Sequence, residues 1–157
     1  MKKLIAIALL SAMYGCATPT MASQPVTDTK WFVSQGFNLS ECGPAAATMG
    51  LNWATGKQTS RHQARQFNRR GINWMRWWNM KIVSEYLTSQ GVSNQFVKKQ
   101  LPPMGQAGIY NLGSHIVFAE MTPKGVVVGD PLGGLSLKSP QEFMKTTALT
   151  YYISVVR

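Results

Sequence analysis

Hydrophobic and polar positions follow two different periods along this chain, and the change comes near Gly91. Before it, apolar residues recur at helical spacing, which predicts helices over residues 43–53, 61–67 and 80–87. After it, short apolar runs between turn residues predict strands at 93–97, 107–111, 115–121, 125–129, 135–138 and 151–156. Ser139 followed by Pro140 predicts a short helix through Met144. Helices followed by antiparallel strands indicate an α+β fold.

The turn at residues 122–125 (Thr-Pro-Lys-Gly) makes a geometric prediction about two polar residues. If residues 123 and 124 form a two-residue tip, residue 117 lies opposite residue 130. His115 and Asp130 then share one face of the hairpin, because side chains alternate with a period of two. A bulge at Gly125 would shift this register.

Cys42 is the residue with the clearest chemical potential. It lies where the loop segment Ser-Glu-Cys-Gly-Pro leads into the first predicted helix. Unpaired backbone N–H groups and the positive end of the helix dipole favour a thiolate at such a position. His115 and Asp130 follow later, each at the edge of an apolar run. The order Cys, His, Asp suits a papain-type cysteine enzyme.

Composition and charge limit the class of protein. With 157 residues, 45% hydrophobic and 14% charged, the chain is expected to fold as one compact domain. Its net charge of +10 favours anionic partners. Of the two cysteines, Cys16 is expected to be lipidated or removed with a leader, which leaves Cys42 as the one thiol of the mature domain. One thiol and two histidines at these spacings predict no metal site, and no cofactor is expected.

The N-terminus predicts export. Met1-Lys2-Lys3 followed by seven apolar residues is typical of a secretory signal, assigned to residues 1–22. Two processing routes stay open: cleavage before Cys16 with lipidation of that cysteine, or ordinary cleavage after residue 22. Residues 23–29 are interpreted as a polar tether and residues 30–157 as the folded domain. The predicted location is the periplasm, free or as an envelope-anchored lipoprotein.

The motifs resemble those of the bacterial double-glycine leader peptidases, a papain-like family that processes bacteriocin precursors. The matching pieces are Glu-Cys-Gly-Pro-Ala-Ala around Cys42, the strand that begins with His115, and Val-Val-Gly-Asp-Pro around Asp130. The resemblance covers roughly residues 30–157. It implies a papain-like α+β fold, with N-terminal helices packed on a C-terminal antiparallel sheet.

The resemblance also implies roles for individual residues. Cys42 would attack a peptide carbonyl, His115 would shuttle the proton and Asp130 would orient His115. A side-chain amide upstream of Cys42 would help to hold the oxyanion, and Gln35 is the residue chosen for this role. The family places its Gln six residues before the nucleophile, whereas Gln35 is seven residues before it, so Asn38 stays a competitor.

A tryptophan-rich segment spans residues 69–80 and mixes three Trp with three Arg. Helical spacing of Trp74, Trp77 and Trp78 favours a face packed into the core. The alternative is a rim beside the cleft, which contacts substrate or a membrane surface. On that alternative, Trp77, Trp78 and Gly113 are the candidate substrate-binding positions.

The sequence therefore predicts an exported cysteine peptidase that acts on a peptide or protein segment. Two other classes stay open: an inactive peptidase-like binding or assembly protein of the envelope, and a peptidoglycan endopeptidase. Gly-Pro after Cys42 and the Asp130-Pro131 pair argue against the endopeptidase. Contact with the envelope or membrane surface is a further expectation. Nucleic acid is not expected because of export, and the oligomeric state is left open.

Overall fold

The computed structural model describes residues 29–38, 40–68, 78–146 and 151–157. Within them the chain forms a six-stranded sheet and four helices. The helices are α1 (Cys42–Thr55), α2 (Arg61–Asn68), α3 (Met80–Ser89) and α4 (Pro140–Thr146). The strands are β1 (Asn94–Lys98), β2 (Ala107–Asn111), β3 (Ile116–Thr122), β4 (Gly125–Asp130), β5 (Gly134–Lys138) and β6 (Tyr151–Val155).

The sheet has the order β1-β6-β2-β3-β4-β5, and every neighbouring pair is antiparallel. The predicted α+β class is confirmed, with helices before strands except for α4. Ser139 caps α4 as predicted, because its hydroxyl accepts the N–H of Glu142 at 3.2 Å. No helix among the described residues is long and apolar enough to cross a membrane.

Helix α1 lies against the middle of the sheet. Every residue from Gly43 to Trp53 is buried, so the helix has no solvent-facing side over three turns. Small side chains make this approach close: a Cβ at Gly50 would lie 3.1 Å from Ile109 Cδ1. The helix ends at Gly56, whose positive φ of 69° lets its N–H donate to Asn52 O.

Two hydrophobic layers cover the two faces of the sheet. Helices α1 to α3 pack on one face against alternate residues such as Ile109, Phe118 and Ile153. The other face carries the intervening residues, and Phe143 of α4 packs there against the stacked rings of Tyr110 and Tyr152. The alternation follows directly from the period of two along each strand.

Two predicted regions lie outside the described residues. The signal peptide at 1–22, Cys16 and the tether except for its last residue belong to the first, and the greater part of the tryptophan-rich segment, residues 69–77, to the second. The predictions about export, lipidation and Trp77 therefore stay predictions.

Gly129 provides a test of the packing between the first layer and the strand that carries Asp130. A Cβ at this position would lie 2.5 Å from Trp31 Cζ3 and 2.8 Å from Met49 Sδ. Gly129→Ala is expected to lower the free energy of unfolding by about 1–3 kcal/mol, because the added methyl overpacks the core. Urea unfolding followed by far-UV circular dichroism measures the change.

The Trp31 ring can be identified as the cause with a double-mutant cycle. In a Trp31→Leu background, Gly129→Ala should cost clearly less than in the parent protein, since the nearest colliding atom has gone. Equal costs in both backgrounds, or no cost in the parent, would show that this contact does not limit residue 129.

Candidate active site

Cys42 is the first residue of α1, as the sequence predicted for a thiol at a helix N-terminus. Glu41 precedes it as the capping residue, but its side chain makes no capping hydrogen bond to the helix. The first backbone N–H groups of the helix therefore lack an intrahelical acceptor beside the thiol. Cys42 itself is half-buried and packs against the first hydrophobic layer. It is thus shielded on one side and reachable on the other.

The hairpin β3–β4 has the predicted register. Thr122 pairs with Gly125 across a tip of two residues, Pro123 and Lys124, and no bulge intervenes. The ladder continues to Phe118 opposite Gly129. Continued one residue further, it sets position 117 opposite position 130, as the sequence argument required.

His115 and Asp130 meet at the end of this hairpin that is remote from the tip. Nε2 of His115 lies 2.6 Å from Oδ1 of Asp130. An ionised carboxylate only accepts hydrogen bonds, so Nε2 carries the proton and Nδ1 is left as the basic nitrogen. The side chains are 23% and 33% exposed, so the pair sits at the surface end of the sheet. The predicted contact between these residues is confirmed.

The Asp130 carboxylate is held by the turn that follows it. Its Oδ1 also accepts the N–H groups of Leu132 at 2.8 Å and Gly133 at 3.0 Å. A Cβ at Gly133 would lie 3.1 Å from Oδ2, so glycine suits this close approach. Burial alone would raise the pKa of Asp130, but the hydrogen bonds from Gly133, His115 and Leu132 together lower it below 3.8. The Asp130 carboxylate is therefore ionised at neutral pH and can accept the hydrogen bond from His115.

Gln35 is buried beside the turn after Asp130. Its backbone N–H donates to Pro131 O at 2.9 Å, which ties the loop before α1 to the end of β4. Its side chain is only 1% exposed; Nε2 donates to Asn38 O at 3.1 Å, and Oε1 has no hydrogen-bond partner. One of the two amide protons is thus committed to the loop.

Asn38, the competitor for the oxyanion role, has a structural role. Its Nδ2 donates to Glu41 Oε1 at 3.2 Å, and its Oδ1 accepts both the N–H and the hydroxyl of Ser40. The side chain thereby closes the turn that leads into α1. Both amides are thus engaged within the loop before α1, Gln35 through Asn38 O and Asn38 through Glu41 and Ser40.

A buried ion cluster beside the nucleophile was not predicted. The Glu41 side chain is only 6% exposed and lies 2.7 Å from Arg61 Nε and 2.9 Å from Arg65 Nη1. Arg61 Nη1 also donates to the carbonyl of Ser34. The spacing of Arg61 and Arg65 was the available signal, since residues four apart share one face of a helix.

The candidate substrate-binding residues lie in three different settings. Trp78 is half-buried and packs its Cβ against Gly43 and its ring edge-on against Tyr86, 5.9 Å between centroids. Trp78 therefore supports the first turn of α1, as the core interpretation expects. Gly113 is exposed in the β2–β3 turn, where its N–H donates to Asn111 Oδ1 at 2.6 Å. Trp77 lies outside the described residues.

Thiol and imidazole are not hydrogen-bonded to each other in the described part of the chain. His115 is the residue directly before β3, and α1 packs against that strand. Catalytic hydrogen bonds are often long in a free enzyme and tighten when the substrate binds. Cys42 and His115 thus belong to neighbouring parts of the fold, at the start of α1 and directly before β3.

The lowered pKa of Asp130 predicts how folding stability varies with acid. A carboxyl group whose folded pKa lies below its unfolded value stabilises the fold above the unfolded value, near 3.8, and loses this contribution as the pH falls through the folded pKa. Asp130→Asn should lower the free energy of unfolding at pH 6 by about 1–2 kcal/mol. Urea unfolding between pH 2.5 and 6 should show that the difference in unfolding free energy between the parent and the variant becomes smaller as the pH falls. A gap that is constant with pH would contradict this origin.

Comparison with solved structures gives the fold relationship. The chain aligns with a double-glycine motif protease from an AMS/PCAT transporter, in complex with its leader peptide, at a TM-score of 0.62 and 19% identity, over 80% of this chain and 91% of that one. It also aligns with the peptidase domain of Streptococcus ComA, a bifunctional ABC transporter of a quorum-sensing pathway. That alignment has a TM-score of 0.58 and 16% sequence identity, and it covers 80% of this chain and 97% of the other. No family model and no curated protein match the sequence. The resemblance predicted from the motifs is confirmed for the fold: the chain has an α+β fold similar to that of these double-glycine peptidase domains.

Proposed function

We propose that this protein is a cysteine peptidase that cleaves a peptide or protein segment with Cys42, His115 and Asp130. The observation that carries the proposal is the hydrogen bond from His115 Nε2 to Asp130 Oδ1, which leaves Nδ1 as a base. It supports the proposal because it arises in a fold shared with peptidase domains and beside β3, the strand against which α1 packs.

The chemistry follows from these groups. Nδ1 of His115 takes the thiol proton, and the Cys42 sulfur attacks the carbonyl carbon to form a C–S bond. The protonated ring then gives its proton to the departing amine as the C–N bond breaks, which leaves a thioester. Water, deprotonated by the same nitrogen, hydrolyses the thioester and restores the thiol. Asp130 accepts from Nε2 throughout and keeps the ring in one tautomer.

The negative oxygen that forms during attack needs donors. The backbone N–H of Cys42 is free of intrahelical bonding, and the second amide proton of Gln35 is the proposed side-chain donor. A preorganised donor of this kind stabilises the transition state by about 3–4 kcal/mol in other acyl-transfer enzymes.

A peptide with two consecutive glycines is the proposed first substrate to test. The support is the neighbour that was solved as a double-glycine motif protease with its leader peptide. Two large apolar side chains, Phe37 and Leu132, are exposed in the two loops that the hydrogen bond from Gln35 to Pro131 joins. They offer apolar contacts to an extended peptide that enters beside the nucleophile.

A second candidate function is a binding or assembly protein that kept the fold without turnover. Two observations favour it: one amide proton of Gln35 is engaged by Asn38 O, and the described Cys42 thiol makes no hydrogen bond to His115. Turnover and thiol reactivity distinguish the two functions.

Export to the periplasm or envelope stays part of the proposal, supported by the basic and apolar parts of the N-terminal sequence. Contact with an anionic membrane surface is supported by the net charge of +10. Both are properties of the whole chain and are independent of the catalytic proposal.

Thiol reactivity tests the catalytic pair without knowledge of the substrate. In the purified protein, iodoacetamide should alkylate Cys42 at pH 6–7 at least about tenfold faster than an ordinary thiol. The reason is that His115 takes the thiol proton and leaves the sulfur as a thiolate, the form that reacts. His115→Ala should remove this advantage. In protein that retains Cys16, Cys42→Ala measures the labelling of Cys16, which is then subtracted.

Cleavage of a double-glycine peptide tests turnover. Cys42→Ala should abolish it, and Asp130→Asn should lower kcat by about 100-fold or more with little change in KM, because the imidazole loses its orientation. An unreactive thiol that is insensitive to His115 would leave the binding function as the better description.

A further inference from the structure

The ion cluster of Glu41, Arg61 and Arg65 is not used by the chemistry above, yet it lies directly beside Cys42. Its carboxylate is almost fully buried, and the two arginines that neutralise it are each about two-fifths exposed. Such a cluster could serve stability alone. The contacts of Arg61 indicate a more specific role.

Arg61 touches both neighbours of Gln35. Its Nη1 donates to the carbonyl of Ser34, and its Nη2 lies 3.3 Å from the place that a Cβ on Gly36 would occupy. Its Nε meanwhile holds the Glu41 carboxylate at 2.7 Å. One guanidinium therefore joins the loop on both sides of Gln35 to the residue before the nucleophile.

The planar guanidinium suits this task. It presents its donors in a fixed fork, so it can hold a carbonyl and a carboxylate in a set relation, which a flexible ammonium does less well. The other described hydrogen bonds of residues 34–36 join them to Pro131, to Asn38 and to one another, so Arg61 supplies their link to Glu41.

Arg65 differs from Arg61 in one informative respect. Its Nη1 lies 2.9 Å from Oε1 of the same carboxylate, but among the described contacts it makes none with residues 34–36. It therefore contributes a similar charge at a similar exposure without touching the loop. The chain thus contains its own control for the electrostatic part of the cluster.

We infer that Arg61 is a positioning residue that fixes the Gln35 loop against the start of α1 and so sets the oxyanion site relative to the Cys42 sulfur. The inference rests on the proposed function for its catalytic consequence, whereas its structural part is independent of catalysis. Arg61 acts through Gln35 and touches no reacting atom.

Two reagents separate the oxyanion site from the thiol. With iodoacetamide the sulfur displaces iodide from a saturated carbon, so no oxyanion forms. With p-nitrophenyl acetate the sulfur is acylated through a tetrahedral oxyanion and p-nitrophenolate leaves. Arg61→Gln should slow acylation by about tenfold or more, since oxyanion donors act only on the second reaction. Alkylation at the same pH should stay within about threefold of the parent.

Arg65→Gln is the matched control, because it removes a charge from the cluster and keeps the contact of Arg61 with residues 34 and 36. It should leave the alkylation rate and the acylation rate within about threefold of the parent. Arg61→Lys should recover part of the acylation rate, which a collapsed fold would not allow. Equal loss of alkylation and acylation in Arg61→Gln, or equal effects of the two glutamine variants, would overturn the inference.

Hydrogen exchange makes the result independent of turnover. The Gln35 N–H is protected by its bond to Pro131 O, and Arg61→Gln should speed its exchange by about tenfold relative to Arg65→Gln. Unchanged exchange would refute the positioning role even in an active enzyme. The two proposals can also fail separately. If Arg61→Gln speeds exchange at Gln35 but the parent protein shows neither rapid alkylation nor acylation of Cys42, the positioning role is upheld and the peptidase is rejected.

Discussion

The close contact between α1 and the sheet is the constraint on which the rest of the structure depends. Residues 43–53 are buried without exception, so the helix cannot shift without opening the core on all sides. Small residues make the approach possible, and the glycine at position 129 admits Trp31 and Met49 against the strand. Because Cys42 begins this helix, the position of the thiol is fixed by core packing and not by a flexible loop.

Two carboxylates near the candidate site are held by different partners. Asp130 is held by His115 and by two backbone N–H groups of the following turn. Glu41 is held by two arginines and the amide of Asn38. A buried carboxylate that lost its partners would cost several kcal/mol and would oppose a negative sulfur nearby. Compensation of Glu41 therefore matters for the fold, and it is shared among three groups, so the other two remain when one arginine is replaced.

Much of the fold was predictable because the local signals agree with the tertiary structure. The two-residue tip at Pro123 and Lys124 set the register of β3–β4, and this register brings His115 to Asp130. The side-chain cap of Ser139 likewise marked the start of α4. Strand ends differ from the predictions by a residue or so, since pairing partners and not local propensity decide where a ladder stops.

The sequence was less informative about contacts between segments that are distant along the chain. It left Gln35 and Asn38 as alternatives, and it gave no reason to join Glu41 to Arg61, twenty residues away. Neither the bond between Gln35 and Pro131 nor the packing of Trp78 on Gly43 has a local signature.

By itself, then, the sequence determined the order of helices and strands, the hairpin that pairs His115 with Asp130 and the helix start that carries Cys42, because periodicity, turn chemistry and capping act over a few residues. Only the tertiary structure decided which groups the amides of Gln35 and Asn38 bind and how the charge of Glu41 is balanced. Those outcomes depend on burial and on ion pairs between separate elements, which form only when α2, the loop before α1 and the end of β4 meet in space.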